Sequence, residues 1–171
     1  MSHEKRNVCD EGRFKTLFRE LSKDLHDFLY YKYGAGNHPA DIVQEAFVKL
    51  WNNCKNVPPE KARAFLFTVA NNQMLNELAK RKTALRYQET AEAKRYTLES
   101  PEFAMEEEQY RQRLHAALES LTEDQRVTFM LNRVEGKKHQ EIADMLGIGR
   151  KAVEKRIYKA YKIIREQLGD F

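Results

Sequence analysis

Cysteine, proline and glycine are all scarce in this chain of 171 residues, at two, four and seven. So few glycines and prolines leave little turn chemistry for the many tight reversals of an all-β protein. The two cysteines, Cys9 and Cys54, lie far apart and outside any C-x-x-C pattern, and the five histidines (His3, His26, His38, His115, His139) are scattered. A zinc site needs about four ligands, so no metal is expected, and no cofactor. Both cysteines read as free thiols, since a disulfide runs against a reducing compartment. No apolar run approaches the length of a transmembrane helix, which excludes direct membrane insertion. The segment Met1–Asp10 is polar and carries no signal-peptide pattern, so the expected location is cytoplasmic. A glycine-rich phosphate loop, a metal-spaced cluster and a nucleophile beside a base are all missing, which makes an enzyme the least expected class.

What is present is charge, at 33% of residues, and strong helix formers. Ala, Leu, Lys, Glu, Gln and Arg dominate, so the predicted class is all-α. The net charge is only +4, and its distribution carries more information than its sum. A first helix is predicted over about Gly12–Lys32, where Phe14, Leu17, Phe18, Leu21, Leu25, Phe28 and Leu29 recur at three- and four-residue spacing. It stops near Gly34-Ala35-Gly36. A second helix follows Pro39, a residue suited to a first turn, with Ile42, Val43, Ala46, Phe47 and Leu50 on one side. Its other side shows Asp41, Gln44, Glu45 and Lys49, a mixed polar face suited to a protein partner. Asn52 to Pro59 reads as a loop, and a third helix spans about Glu60 to Lys82 with Phe67, Ala70, Met74 and Leu78 as its stripe.

Between Tyr87 and Glu108 the apolar rhythm fades, and seven acids face two bases. Residues 87–100 are taken as an acidic linker, with a helix capped by Ser100-Pro101-Glu102 after it. A tether is the simpler reading. The same acidity suggests that the flanking modules close on each other and hide basic surfaces. Further on, Thr122-Glu123-Asp124-Gln125 is a capping box that opens a helix ended by Gly136. Gln140 to Leu146 forms a short helix closed by Gly147, and a long helix runs from Arg150 to about Leu168. Two helices across a short glycine turn, with Ala143 at the inner packing position and Ile148 plugging the turn, make a helix-turn-helix pattern.

The last helix carries Val153, Ile157, Ala160, Ile164 and Leu168 on one side and Arg150, Lys151, Glu154, Lys155, Tyr158, Lys159 and Lys162 on the other. Bases far outnumber acids there, so the helix repels itself unless a polyanion neutralises it. The second helix of such a motif lies in the DNA major groove. The third helix offers a different surface. Lys61, Arg63, Lys80, Arg81, Lys82 and Arg86 form a basic rim beside Asn72 and Asn76, which share a face and whose amides donate and accept at one base edge. Aromatic and amide groups beside a basic rim suit unstacked bases, although Phe65 and Phe67 read better as core.

Taken together, Asp41-Ile-Val-Gln-Glu-Ala-Phe-Val-Lys-Leu-Trp51, Ala64-Phe-Leu-Phe-Thr-Val-Ala-Asn-Asn72, Leu121-Thr-Glu-Asp-Gln-Arg126 and Glu141-Ile-Ala-Asp-Met-Leu-Gly147 resemble the extracytoplasmic-function sigma factors of the sigma-70 family. The likeness covers most of the chain, in order. It implies two helical domains, sigma two over 8–86 and sigma four over 101–171. It also implies a dissociable subunit that binds core RNA polymerase through the β′ coiled coil and the β flap. Asp41, Gln44, Glu45 and Trp51 match the helix docking on the coiled coil. The loop Asn52–Pro59 matches the one that captures a flipped promoter base. By the same resemblance, Asn53, Lys61, Arg63, Asn72, Asn76 and Lys80 face the opened minus-ten element. Lys138, Arg150, Lys151, Glu154, Lys155, Tyr158 and Lys159 face the minus-thirty-five duplex. An anti-sigma factor is a further partner that the family implies. Two departures stand out: Glu154 replaces a base common in the family, and Lys137-Lys138-His139 place positive charge at a helix start that prefers negative. The rival expectations are a stand-alone helix-turn-helix regulator, which binds duplex tightly without polymerase, and a helical adaptor, in which the basic helix is incidental.

Overall fold

The computed structural model describes residues 7–85 and 102–169, and every regular element among them is helical. The seven α-helices are α1 (Glu11–Tyr33), α2 (Pro39–Asn52), α3 (Ala62–Leu85), α4 (Glu102–Ser120), α5 (Glu123–Arg133), α6 (His139–Leu146) and α7 (Arg150–Leu168). The predicted linker and its Ser100-Pro101 cap lie outside the described residues.

Helix ends follow their local chemistry. Asp10 caps α1 by accepting from the Arg13 amide at 2.8 Å, which satisfies one of the orphan donors of the first turn. Thr122 and Gln125 close the predicted capping box at α5. The α6–α7 turn depends on Gly147, whose φ of 65° lets the Ile148 amide bond back to the Ala143 carbonyl at 3.1 Å. That is the hydrogen bond of a Schellman ending, and glycine adopts the left-handed conformation without a Cβ penalty.

Three apolar stripes make the first module. Leu21, Leu25, Phe28 and Leu29 of α1 meet Ile42, Val43, Ala46, Phe47 and Leu50 of α2 and Leu66, Phe67, Ala70 and Met74 of α3, all buried. Each fully buried side chain of this size is worth about 1.5–3 kcal/mol. Met74 is thus core, as its stripe predicts, and Phe67 packs on Phe28 at 5.2 Å between ring centroids. In the second module α4, α5 and α6 all pack on α7, which buries Val153, Ile157, Ala160 and Ile164.

Part of the second module is continuous with the core of the first, while Ala117, Leu121, Phe129, Ala160 and Ile164 form a separate cluster. Val127, Leu131, Ile142, Ala143, Met145, Val153 and Ile157 join the same apolar cluster as the α1–α3 residues, because α5 lies along α1 and α6 touches α3. Polar clasps frame this contact. The Arg126 side chain donates to the carbonyls of Tyr31 and Lys32 at 2.8 and 2.6 Å. Those carbonyls belong to the last turn of α1, where no intrahelical donor remains. Lys23 bridges Asp27 and Glu135 at 2.6 and 2.8 Å, and Lys137 reaches Asp24 at 2.9 Å. The closure anticipated from linker acidity is therefore built among the described residues by helix faces. It leaves the basic side of α7 in solvent: Lys151, Lys155 and Lys159 are all exposed.

One expectation is overturned. Cys9 and Cys54 form a disulfide, with Cα atoms 5.0 Å apart across a separation of 45 residues. The spacing lies within the usual range for such a bond. The cysteines meet because α1 and α2 pack side by side. That brings the segment before α1 to the turn just beyond α2, a relation invisible in a linear spacing.

Candidate nucleic-acid and polymerase interfaces

On α7, Arg150, Lys151, Glu154, Lys155, Tyr158 and Lys159 are exposed on one side of the helix, Tyr158 at 71%. Glu154 is the only acid of this set, and two bases hold it. Arg150 Nε donates to its carboxylate at 3.2 Å, and His139 Nδ1 lies 3.6 Å away. Among the described residues Lys151, Lys155 and Lys159 find no acidic partner, so the face is cationic. Arg156 differs, being partly buried and turned to Asp124 at 3.8 Å. Lys138 and Arg150 line one groove with Lys137, His139 and Gln140, so the starts of α6 and α7 present their bases together. At the start of α6 Glu141 accepts from the Lys138 backbone amide at 2.7 Å, a cap on the first turn, and the Lys137 ammonium pairs with Asp24.

On α2, Asp41, Gln44 and Glu45 line a groove with Val48, Lys49 and Asn52. Val48, 58% exposed, was not singled out from sequence. Its spacing of four from Gln44 and three from Glu45 is the signal that would have found it. Trp51 is not among the groove residues. It is 44% exposed and packs edge-on against Phe14 of α1, with centroids 5.1 Å apart.

The third surface is less unified than its sequence suggests. Asn72 and Asn76 are exposed one turn apart on α3, with Lys80 exposed beyond them and bonded to Glu77 at 3.7 Å. Lys61 is exposed and Arg63 partly so. Asn53 caps α2, its amide donating to the Lys49 carbonyl at 2.8 Å. Arg81 of the predicted rim ties α3 to the α1–α2 turn through the Gly36 carbonyl and Asn37, while Arg86 lies outside the described residues. The loop after α2 folds into two single 3-10 turns around buried Val57, the first carrying Cys54. Asn72 also lines a cleft of about 280 Å³ between the modules, opposite Met145, Leu146, Ile148 and Arg156.

Three of the shifted ionisations, those of Glu135, Tyr31 and Tyr33, lie in the contact between modules. The Lys23 ammonium and the Tyr31 hydroxyl, both hydrogen-bonded to Glu135, hold its carboxyl below the usual carboxylate range. Burial, with Glu135 beside it, pushes the Tyr31 phenol up. Burial raises Tyr33 to about 12, with Glu123 and Asp124 adding to it.

Two family models match the chain: Sigma-70 region 2 over residues 17–84 and Sigma-70, region 4 over residues 111–164. The chain is 24% identical to the ECF RNA polymerase sigma factor SigX of Bacillus subtilis (strain 168), over 92% of this chain and 84% of that protein. It is 27% identical to the ECF RNA polymerase sigma-E factor of Escherichia coli (strain K12), over 91% and 86%. Against the RNA polymerase sigma factor CarQ of Myxococcus xanthus the identity is 28%, over 94% and 91%.

Proposed function

The chain belongs to the extracytoplasmic-function group of the sigma-70 family and is an RNA polymerase sigma factor for promoter-specific transcription initiation; on that premise we propose which surface does which part of the work. The α2 groove docks on the β′ coiled coil of core polymerase. Its exposed Val48 within a rim of Asp41, Gln44 and Glu45 supports this, because an apolar centre with a polar rim is the usual anatomy of a protein interface. Trp51 flanks the contact. The second module meets the β flap and sets α7 in the minus-thirty-five major groove, with Lys138 and Arg150 gripping phosphate. The loop after α2, with Asn53, Lys61, Arg63, Asn72, Asn76 and Lys80, holds opened minus-ten bases.

The observation that carries this reading is the cationic row Lys151, Lys155 and Lys159, without an acidic partner among the described residues, beside a Glu154 that accepts from Arg150. A stable surface helix pairs its charges; this one leaves them for a polyanion. The chain works in the cytoplasm as a binding subunit and catalyses no reaction on the promoter. Extruding a base costs a few kcal/mol, and capture in the loop offsets part of that. An anti-sigma factor would compete for these same surfaces.

The closed arrangement also requires movement. Asn72 and Arg156 share one cleft, whereas about 25 base pairs at ~3.4 Å each put the two promoter elements roughly 85 Å apart along DNA. The modules therefore separate on the promoter. Run-off transcription with purified core polymerase over a promoter library tests the assignment. Lys155→Ala should relax preference in the upstream element and Asn72→Ala in the downstream one. Tight specific duplex binding by the chain without polymerase would refute it.

A further inference from the structure

We infer that Cys9 and Cys54 are a redox-responsive modification site, a dithiol whose oxidation by a peroxide ties down the base-capture loop and raises promoter opening. The inference rests on the base-capture reading of that loop and adds its regulation.

The pair is placed to act on the loop. Cys54 begins the first turn after α2, and its carbonyl accepts from the amides of both Val8 and Val57 at 3.4 Å. The disulfide thus anchors the start of the loop to the segment before α1 at the point where Val8 and Val57 are both buried. Without the bond, that anchorage falls to those long hydrogen bonds and the packing of Val8, Val57 and the two cysteine side chains. The packing of α1 on α2 and of α2 on α3 does not pass through the pair, because Leu25, Leu29, Leu50, Leu66 and Met74 supply it. Reduction therefore loosens the loop and leaves the helices in place.

The chemistry balances within the pair and its oxidant. Cys9 is partly exposed, while Cys54 is buried, so Cys9 reacts first. Its thiolate attacks one peroxide oxygen, the O–O bond breaks, and a sulfenic acid and water form. The Cys54 thiolate then attacks the Cys9 sulfur, the S–O bond breaks, and the leaving hydroxide takes a proton to become a second water. Two thiols lose two electrons and two protons, which reduce peroxide to two waters. A low-molecular-weight thiol reverses this by exchange.

A loop already held in place costs less to order around a flipped base. The test uses the full chain, oxidised with hydrogen peroxide or reduced with dithiothreitol, then freed of reagent before core polymerase is added. Maleimide labelling should find both thiols after reduction and neither after peroxide. Open-complex formation should be about threefold to tenfold greater for the oxidised chain, the range expected from ordering one or two side chains. Cys9→Ser should initiate at the level of the reduced chain and ignore peroxide. Hydrogen exchange over residues 53–61 should quicken on reduction while circular dichroism at 25 °C stays the same. Equal initiation by oxidised, reduced and Cys9→Ser chains overturns the inference, as does persistent labelling after peroxide or loss of helix on reduction. If no preparation initiates, the base-capture reading fails and takes the regulatory role with it, while the exchange data still decide whether the bond orders the loop.

Discussion

Arg126 is the side chain through which the closed arrangement is most directly tested. Its guanidinium makes two hydrogen bonds to backbone carbonyls at the end of α1, and it sits where the negative end of the helix dipole favours a cation. Hydrogen bonds to a charged group contribute about 1.5–3 kcal/mol each. Water can reach the two carbonyls once the side chain is removed, so Arg126→Ala should cost closure about 2–3 kcal/mol in total, below the sum. At 1.4 kcal/mol per factor of ten, the ratio of open to closed chain rises about 30- to 150-fold. Energy transfer between dyes on exposed positions of α2 and α7 reports the separation. Followed through urea concentrations below global unfolding, the opening curve of the variant should shift to lower urea by that factor in the equilibrium constant. Superimposable curves for variant and parent would refute the argument, since they would mean that the clasp contributes nothing to closure.

Other outcomes follow from the same contacts. The folded Glu135 carboxyl titrates below its ordinary value of 4.5, so its contribution to closure is complete above that value and is lost as pH falls through the folded pKa. Glu135→Gln should flatten this acid limb in the same dye assay. Lys155→Ala should lower the salt dependence of promoter-complex formation by about 0.9 in log–log slope for one lost phosphate contact, measured by filter binding of the polymerase complex. Reduction of the disulfide, which closes a separation of 45 residues, should cost about 4 kcal/mol on the chain-entropy account, a fall of about 10 °C in Tm for a chain of this size, read by calorimetry with and without reductant. Met74→Ala removes a fully buried side chain and should destabilise the chain by about 2–5 kcal/mol, read by urea unfolding.

Much of the fold was legible along the chain because its signals are local. The stripe Leu21, Leu25, Phe28 and Leu29 marks a buried helix face wherever that helix goes. The capping box at Thr122 and the glycine at 147 end and start helices through bonds no more than five residues long. The cationic side of α7 follows from helical periodicity alone, and so does the mixed face of α2. Readings that needed distant partners were less secure. Arg81 reads along the chain as part of a basic rim, but its partners Gly36 and Asn37 lie in the α1–α2 turn, because a side chain's partner depends on which element folds back beside it.

The amino-acid sequence by itself determined the all-helical class, the helix-turn-helix and the residue types on each exposed face, since hydrophobic period, capping and charge act within a few residues. Tertiary structure alone decided that Cys9 meets Cys54, that Arg126 finishes α1, that Glu135 is held by Lys23 and Tyr31, and that part of the second module joins the core of the first. Each of these joins groups tens of residues apart. Such pairs are selected by how helix faces bury their apolar area, and spacing along the chain carries no record of that choice.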